Sequence, residues 1–403
     1  MLMLVAGPVW AAKKVDLDYH VKLLPGSDQA QVSLTLAQGS AVRSFDFDLG
    51  NQGVYSDFKA DGEWQAQSGR GIWHPASGKA SLTYRVRISH AHGSALTSQS
   101  KAINYDTRMT AKWALMRGED LVPRARLDQQ DGVELVSRLE FELPVGWKSV
   151  ETPWPRIGKN RFRIDNVSRL FDRPTGWMLA GTLGSRRTRL GDTEVTVTAP
   201  QGQGLHRMDV LTLLTFVWPQ MQAVFARNPQ KLLVVAAADQ MAHGAVSAND
   251  SIYLNSNRPV VSETGASPLL RELVHVFNRL SSSHHSEWIS EGIAEYYAIE
   301  VMRRAGGMSD ERYQNVQLGL AKASANVTTL RGDRIDTATA ARAVLLLREL
   351  DEEIRQQTHN EKSLDDVCRA LMRLNTVSTK IFIQLSESVI GEPSKVLASK
   401  LLQ

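Results

Sequence analysis

The residues best suited to chemistry lie between positions 267 and 297. Glu272 and His275 stand three apart in Arg-Glu-Leu-Val-His, and Glu291 follows in Trp-Ile-Ser-Glu-Gly. A histidine and a carboxylate on helices can hold Zn²⁺, with a Glu beside the first ligand position as general base. Helical spacing puts Arg271 where a second histidine ligand would stand, and a guanidinium offers only donors. The stretch therefore predicts a zinc site with one ligand replaced.

This stretch resembles the glycyl-aminopeptidase family of zinc metallopeptidases, which are gluzincins with a thermolysin-like catalytic domain. The family pattern is His-Glu-x-x-His, followed by a Trp-x-x-Glu-Gly helix that ends in Tyr-Tyr. Residues 288–297 match the second half, and two of the three named positions match in the first half. The resemblance implies vestigial roles: Glu272 as general base, His275 and Glu291 as metal ligands, and Glu295 as the partner of a metal-binding histidine.

The resemblance covers roughly residues 160–375. Residues 350–358 and 362–366 are similar to a C-terminal helix pair of the family. The family usually carries Tyr-x-Lys-Gly just upstream, and its Tyr is thought to stabilise the oxyanion. Counting back from Leu350 places Ala340-Ala-Arg-Ala there, so Ala340 stands for that Tyr and a second catalytic group is missing.

Two carboxylates would face the position from which the metal ligand is missing. We expect Arg271 to pair with Glu291, and with Glu272, and so to replace the charge of the metal. Glu295, one turn after Glu291, is a further partner for this arginine. The alternative is that zinc does bind, with His284 or His285 of the loop before Trp288 as a substitute third ligand.

Capping residues predict the two helices that carry these side chains. Ser267 followed by Pro268 is typical of a helix start, and this helix should run to about Leu280. Ser290 is predicted to cap the next helix, which Gly306-Gly307 should end.

Short strands upstream predict a substrate groove. An apolar strand over 232–238 and a second strand over 251–256 flank the segment 242–249. In the peptidases the strand at this place lies along the active site and pairs with the substrate backbone. We expect the strand 251–256 to be a sheet edge able to accept a peptide by strand addition. The predicted groove residues are Gly244, Ala245, Ser251 and Tyr253. The Glu that holds a substrate amine in exopeptidase relatives is absent after Gly244.

The wider pattern predicts an α+β protein. Alternation of apolar and polar residues dominates 13–200 and predicts an N-terminal antiparallel β-sandwich or saddle domain. A thermolysin-like α/β domain is expected over 201–320 and a C-terminal helical region over 321–403.

Composition limits the remaining classes of function. The chain has 403 residues and a formal net charge of +4, with its basic residues scattered, so no nucleic-acid partner is indicated. Cys368 is the only cysteine, which excludes an internal disulfide and thiolate zinc sites. Residues 1–12 read as the back part of a secretory signal, which predicts a periplasmic or secreted protein; a buried first strand is the alternative. No apolar run is long enough for a transmembrane segment.

Three functions remain open at this point. The first is a degenerate metallopeptidase that binds an extended peptide or a protein partner, with no cofactor. The second is a working zinc peptidase that uses His275, Glu291 and an unusual third ligand, with Glu272 activating water. The third is a structural subunit whose β-domain makes the contacts.

Overall fold

The computed structural model describes residues 13–50, 53–92, 104–164, 171, 173–238, 241–262, 266–332, 335–374 and 376–403. The signal-like segment 1–12 lies outside the described residues. Chain contacts divide the molecule into two units, which are described separately below. Unit 1 comprises 1–184, 198–203 and 237–242, and unit 2 comprises 185–197, 204–236 and 243–403.

Unit 1 is built from β-strands. In chain order they are β1 Lys13–Leu24, β2 Gln29–Leu36, β3 Val42–Asp48, β4 Tyr55–Ala60, β5 Gly62–Gln67, β6 Arg70–Pro75, β7 Ala80–Arg87, β8 His90–Ala91, β9 Tyr105–Met109, β10 Trp113–Arg117, β11 Ala125–Gln129, β12 Val133–Glu142, β13 Ser149–Glu151, β14 Arg156–Gly158, β15 Arg161–Ile164 and β16 Trp177–Gly181. A short helix, α1, spans Gly118–Leu121.

The described strands of unit 1 form three sheets. Their strand orders are β14-β15-β12-β1-β2-β7-β4, β13-β16-β10-β9-β8 and β11-β3-β6-β5. Strand β1 runs antiparallel to β2 but parallel to β12, with Lys13 opposite Val133, and β2 runs antiparallel to β7. The alternation predicted for 13–200 is present: Leu17, Tyr19 and Val21 are buried while their neighbours are not. The predicted β-domain is therefore confirmed, with one parallel pair that the pattern did not indicate.

Unit 2 combines a sheet with helices. Its strands are β17 Leu183–Leu190, β18 Thr193–Pro200, β19 Lys231–Ala237, β20 Ala245–Ala248 and β21 Ser251–Asn255. Its helices are α2 Arg207–Phe225, α3 Pro268–Asn278, α4 Glu287–Arg304, α5 Asp310–Ala323, α6 Thr337–Gln357, α7 Leu364–Leu371 and α8 Thr379–Ile390. The ends of β17, β18 and β19 at residues 183–184, 198–200 and 237 group with unit 1. None of the helices in the described ranges has both the length and the apolar content that a membrane span requires.

The sheet of unit 2 has the order β17-β18-β19-β21-β20. Every residue of β19 is buried, as its unbroken apolar sequence predicts for a strand inside a sheet. The strand 251–256 was predicted to be the edge, and this prediction is wrong. β21 lies between β19 and β20, so β20 takes the edge position, because the chain turns back after β20 and inserts the apolar β21 on the buried side.

The helices of unit 2 pack as one body. α3 packs on α4 and β20, α4 on α6, and α5 on α6, so helices before and after residue 320 share contacts. The predicted boundaries at 200 and 320 stay a prediction.

Candidate functional site

Helix α3 carries three of the predicted site residues and begins where its sequence indicates. The Ser267 hydroxyl accepts a hydrogen bond from the Leu270 N–H, and Pro268 occupies the first turn. The helix ends at Asn278, slightly before the predicted Leu280, because Arg279 adopts a left-handed conformation with φ of 48°. Its apolar face is buried and fixes the direction in which Arg271, Glu272 and His275 project.

Helix α4 begins one turn earlier than predicted. Ser286 is the N-cap residue and Glu287 the first helical residue, so the predicted cap at Ser290 is wrong. The Ser290 hydroxyl donates instead to the Glu287 carbonyl within the first turn. Trp288 explains the earlier start: it is fully buried, and its Nε1–H donates to the Thr379 hydroxyl at 3.1 Å, which fixes this end of the helix.

Arg271 lies among the acidic residues of both helices. Its Nη1 donates to Glu272 Oε1 at 2.6 Å, and its Nη2 donates to Glu291. Its Nε lies 3.8 Å from Glu295 Oε2. Burial lowers the pKa of Arg271, but the surrounding carboxylates raise it by more, so the guanidinium stays charged. The expected pairing of Arg271 with Glu291 and Glu272 is present in the structure.

Glu272 is held by a residue that the sequence did not single out. Its Oε2 accepts hydrogen bonds from the Ser247 N–H at 2.8 Å and from the Ser247 hydroxyl at 2.7 Å. With Arg271 on Oε1, both oxygens of this buried carboxylate are engaged. Ser247 lies on the edge strand β20. A serine at this place is a weak signal, because nothing in its sequence neighbourhood indicates which side chain it meets.

His275 and Glu291 face each other across the two helices. The imidazole Nε2 lies 3.7 Å from Glu291 Oε1, and the histidine side chain is 17% exposed. Burial raises the pKa of Glu291, but the neighbouring His275 and Arg271 lower it further, to about 2. Glu291 is therefore a carboxylate whose charge is already compensated by protein groups.

Glu295 is the least compensated acid of the group. Burial is the largest effect and raises its pKa, Arg271 lowers it, and the nearby Glu291 and Glu272 raise it again. Its net pKa is raised. The side chain lies one turn beyond Glu291 on α4, as the spacing predicts.

The donor set does not fit a zinc ion. A catalytic zinc site takes three protein ligands and leaves one position for water. Among the described residues of unit 2, no three His, Cys, Asp or Glu side chains bring their ligand atoms within 4.8 Å of one another. The guanidinium of Arg271 instead bonds to both carboxylates that would face the ion.

The proposed substitute ligands form a pair of their own. His284 and His285 lie in the turn before α4, with ring centroids 3.9 Å apart and φ of 60° at His285. Neither joins His275 and Glu291 in a group of three ligand atoms within 4.8 Å among the described residues. The substitution remains a prediction that the geometry does not support.

The predicted groove residues divide between two strands. Gly244 precedes β20 and faces the Arg258 side chain, and Ala245 lies on β20 and is half-buried. Ser251 and Tyr253 lie on the interior strand β21 and are buried, with 0% and 1% exposure. Because β21 is not an edge, Ser251 and Tyr253 do not offer a free backbone for strand addition.

Ala340 lies in the first turn of α6 and is partly buried. Three residues further along, Ala343 packs closely on α4, where a Cβ added to Gly292 would meet the Ala343 Cβ at 2.8 Å. The segment 340–343 therefore reaches the helix that carries Glu291. The equivalence of Ala340 to the family Tyr stays a prediction.

Comparisons with known proteins locate the fold. No family model matches the sequence, and no curated protein matches it. An aminopeptidase N family protein from Idiomarina loihiensis superposes with a TM-score of 0.65 at 13% identity, over 94% of this chain and 72% of that chain. An M1 zinc metallopeptidase from Deinococcus radiodurans gives 0.58 at 14% identity, over 97% and 93%. Aminopeptidase A from Legionella pneumophila, in complex with aspartic acid, gives 0.56 at 12% identity, over 97% and 49%.

These likenesses concern the fold, because all three identities are low. The neighbours are an aminopeptidase N family protein, an M1 zinc metallopeptidase and an aminopeptidase A, so the predicted gluzincin-type fold is confirmed. Helices α3 and α4 carry Glu272, His275 and Glu291 on facing sides, and the roles of these residues as general base and metal ligands stay a prediction. The chain therefore has the fold of a zinc aminopeptidase of the gluzincin type.

Proposed function

We propose that this protein is a metal-free pseudopeptidase that binds an extended peptide or a protein partner without hydrolysing it. The observation that carries the proposal is the guanidinium of Arg271, which bonds to Glu272 and to Glu291. An arginine supplies fixed positive charge and several donors, and it cannot ligate a metal. It therefore offsets the charge of carboxylates that would otherwise need an ion.

The environment of Glu272 supports loss of hydrolysis independently. A general base must reach the proton that it abstracts. Both oxygens of Glu272 already accept hydrogen bonds, two from Ser247 and one from Arg271. A water molecule that approached Glu272 would have to compete with these donors.

The edge strand β20 supports peptide binding. An extended peptide can add to a sheet edge through backbone hydrogen bonds. The Ser247 N–H points away from β21, because it donates to Glu272. Successive N–H groups of a strand point to opposite sides, so the Ala245 N–H faces the same outer edge. We therefore expect the peptide to bind at Ala245 and the residues just before it.

We also propose that the protein is exported, because residues 1–12 are apolar and end in small residues. An active zinc enzyme remains the alternative, because the structural neighbours named above are zinc metallopeptidases.

The first test is zinc content. We expect purified wild-type protein to carry far less than one zinc per chain after incubation with zinc. The variant Arg271→His restores the missing ligand beside His275 and Glu291, and we expect it to bind about one zinc per chain. Arg271→Lys is the matched control, since it keeps a positive charge, supplies no neutral nitrogen at neutral pH and should not bind zinc. One zinc per wild-type chain, lost in His275→Ala, would establish the alternative.

The second test addresses the peptide contact. A panel of short unstructured peptides is screened against the full chain by fluorescence anisotropy. We expect Ala245→Pro, which removes one backbone donor, to weaken binding by about tenfold. Ala245→Val is the control, because it keeps the donor and favours the strand. Equal binding by the wild type, Ala245→Pro and Ala245→Val would mean that the peptide binds elsewhere and would contradict this part of the proposal.

A further inference from the structure

A separate cavity lies between α4 and α5 in unit 2. It has a volume of about 400 Å³. Its apolar wall is formed by Ala266, Ile299, Val316 and Leu320, and its charged groups are Glu295 and Arg312. A concave site of this size, mainly apolar with a few polar groups, is typical of a small-molecule pocket.

The two charged groups differ in what they already bind. Arg312 donates from Nη2 to the Ser262 carbonyl at 3.3 Å and has a further interaction partner. Glu295 accepts no hydrogen bond from any residue in the described ranges, and its nearest cation is the Arg271 Nε at 3.8 Å. Its side chain is 25% exposed and so is reachable by a ligand. A partly buried carboxylate with no protein hydrogen-bond donor leaves its oxygens available to the N–H group of a ligand.

A glycine lies at the rim of the cavity. Gly319 lines it from α5 and is exposed, and a Cβ built at this position meets no atom within 4 Å. A glycine inside a helix costs up to about 1 kcal/mol relative to alanine. A larger residue therefore has room at this position and would narrow the cavity.

We propose that this cavity binds a small ligand with an apolar body and a terminal ammonium group, a primary alkylamine in chemical class. The ammonium group donates to the Glu295 carboxylate, and the alkyl chain contacts Ile299, Val316 and Leu320. Because the Glu295 carboxylate is negatively charged, an amine should bind more tightly than an alcohol or a carboxylate of the same length. This site shares Glu295 with the acids around Arg271, but it is distinct from the peptide contact at β20.

The test compares three ligands of equal length on the full chain by ligand-observed NMR titration: pentylamine, pentanol and pentanoate. We expect pentylamine to bind at least about tenfold more tightly than pentanol, the difference expected for a hydrogen bond to a charged group, and pentanoate to bind most weakly. Equal binding of amine and alcohol, or tighter binding of pentanoate, would overturn the proposal.

Two variants locate the site. Glu295→Gln should bring the affinity for pentylamine to that for pentanol. Gly319→Leu should abolish binding of both ligands by filling the cavity while leaving Glu295 in place. Circular dichroism confirms that each variant is folded. Pentylamine binding that survives Gly319→Leu in folded protein would contradict the proposal. Zinc content after Arg271→His is read separately, so failure here leaves the proposed function testable.

Discussion

Helix α4 carries two clusters of arginine and carboxylate side chains that differ in charge balance. The Arg271 cluster consists of Arg271, Glu272, Glu291 and Glu295, so three carboxylates surround one guanidinium. The Arg304 cluster consists of Glu300, Arg303, Arg304 and Asp365, two acids and two cations. In the second cluster Arg304 donates to both Glu300 and Asp365, and Tyr297 donates to Asp365.

The two clusters differ in how fully their charges are balanced. A buried ion-pair network is favourable only when its charges and hydrogen bonds are satisfied. The Arg304 cluster meets this condition, and it joins α4 to α7. The Arg271 cluster does not, because three carboxylates share one guanidinium. We therefore expect the Arg304 cluster to contribute more to stability than the Arg271 cluster.

The largest effect is expected from breaking the balanced cluster. Arg304→Met leaves the buried Glu300 and the partly buried Asp365 without their shared cation, so the free energy of unfolding should fall by about 3–5 kcal/mol. Urea unfolding followed by circular dichroism measures the change. A loss below about 1 kcal/mol would mean that the cluster is not a structural network.

We expect Glu300 to make the free energy of unfolding depend on pH. Burial raises its pKa, and hydrogen bonds from Arg303 and Arg304 lower it further, so the net pKa lies below the ordinary 4.5. A depressed folded-state pKa contributes stability above about pH 4.5, and this contribution is lost as the pH falls through the folded-state pKa. Glu300→Gln should therefore lower stability by about 2 kcal/mol at neutral pH. The gap from wild type should close in acid; a constant gap would contradict the assignment.

A smaller loss is expected in the unbalanced cluster. Arg271→Met should reduce the free energy of unfolding by about 1–2 kcal/mol, because Arg271 is 35% exposed and Glu291 29%, so water screens the remaining acids. The same urea experiment measures it beside Arg304→Met. An equal or larger loss at Arg271 would remove the distinction between the two clusters.

The smallest effect concerns the helix that holds Asp365. Ser363 begins α7 with a capping box in which Asp366 accepts the Ser363 N–H at 2.9 Å. Ser363→Ala should cost about 1 kcal/mol, and Ser363→Thr should cost less because it keeps the hydroxyl. If Ser363→Ala costs as much as Arg304→Met, position of the helix rather than charge balance governs the Arg304 cluster.

Local patterns predicted much of this molecule. The Ser267-Pro268 start and the apolar strand β19 depend on neighbours in sequence, so their residues predict them. The pairing of Arg271 with Glu291 was predicted from charge together with the resemblance, which implied that the two helices bring these residues together.

Strand order and contacts between residues distant in sequence could not be predicted in the same way. Strand order decides which strand is an edge, and the alternation within 251–256 is the same for an interior or an edge strand. The cap of α4 was misplaced because Ser286 and Ser290 are both good N-cap residues, and the tertiary contact of Trp288 with Thr379 decides between them. The contact of Ser247 with Glu272 joins residues 25 apart in the chain, with no pattern to indicate it.

The hydrogen bonds from Ser247 to Glu272 also make positions 247 and 271 interdependent. A histidine at position 271 would free one oxygen of Glu272, while Ser247 would keep its hydrogen bonds to the other. A single Arg271→His change would therefore supply a metal ligand while half of the Glu272 carboxylate stays occupied. Only a second change at position 247 would release the whole carboxylate, so the effects of the two substitutions should not be additive.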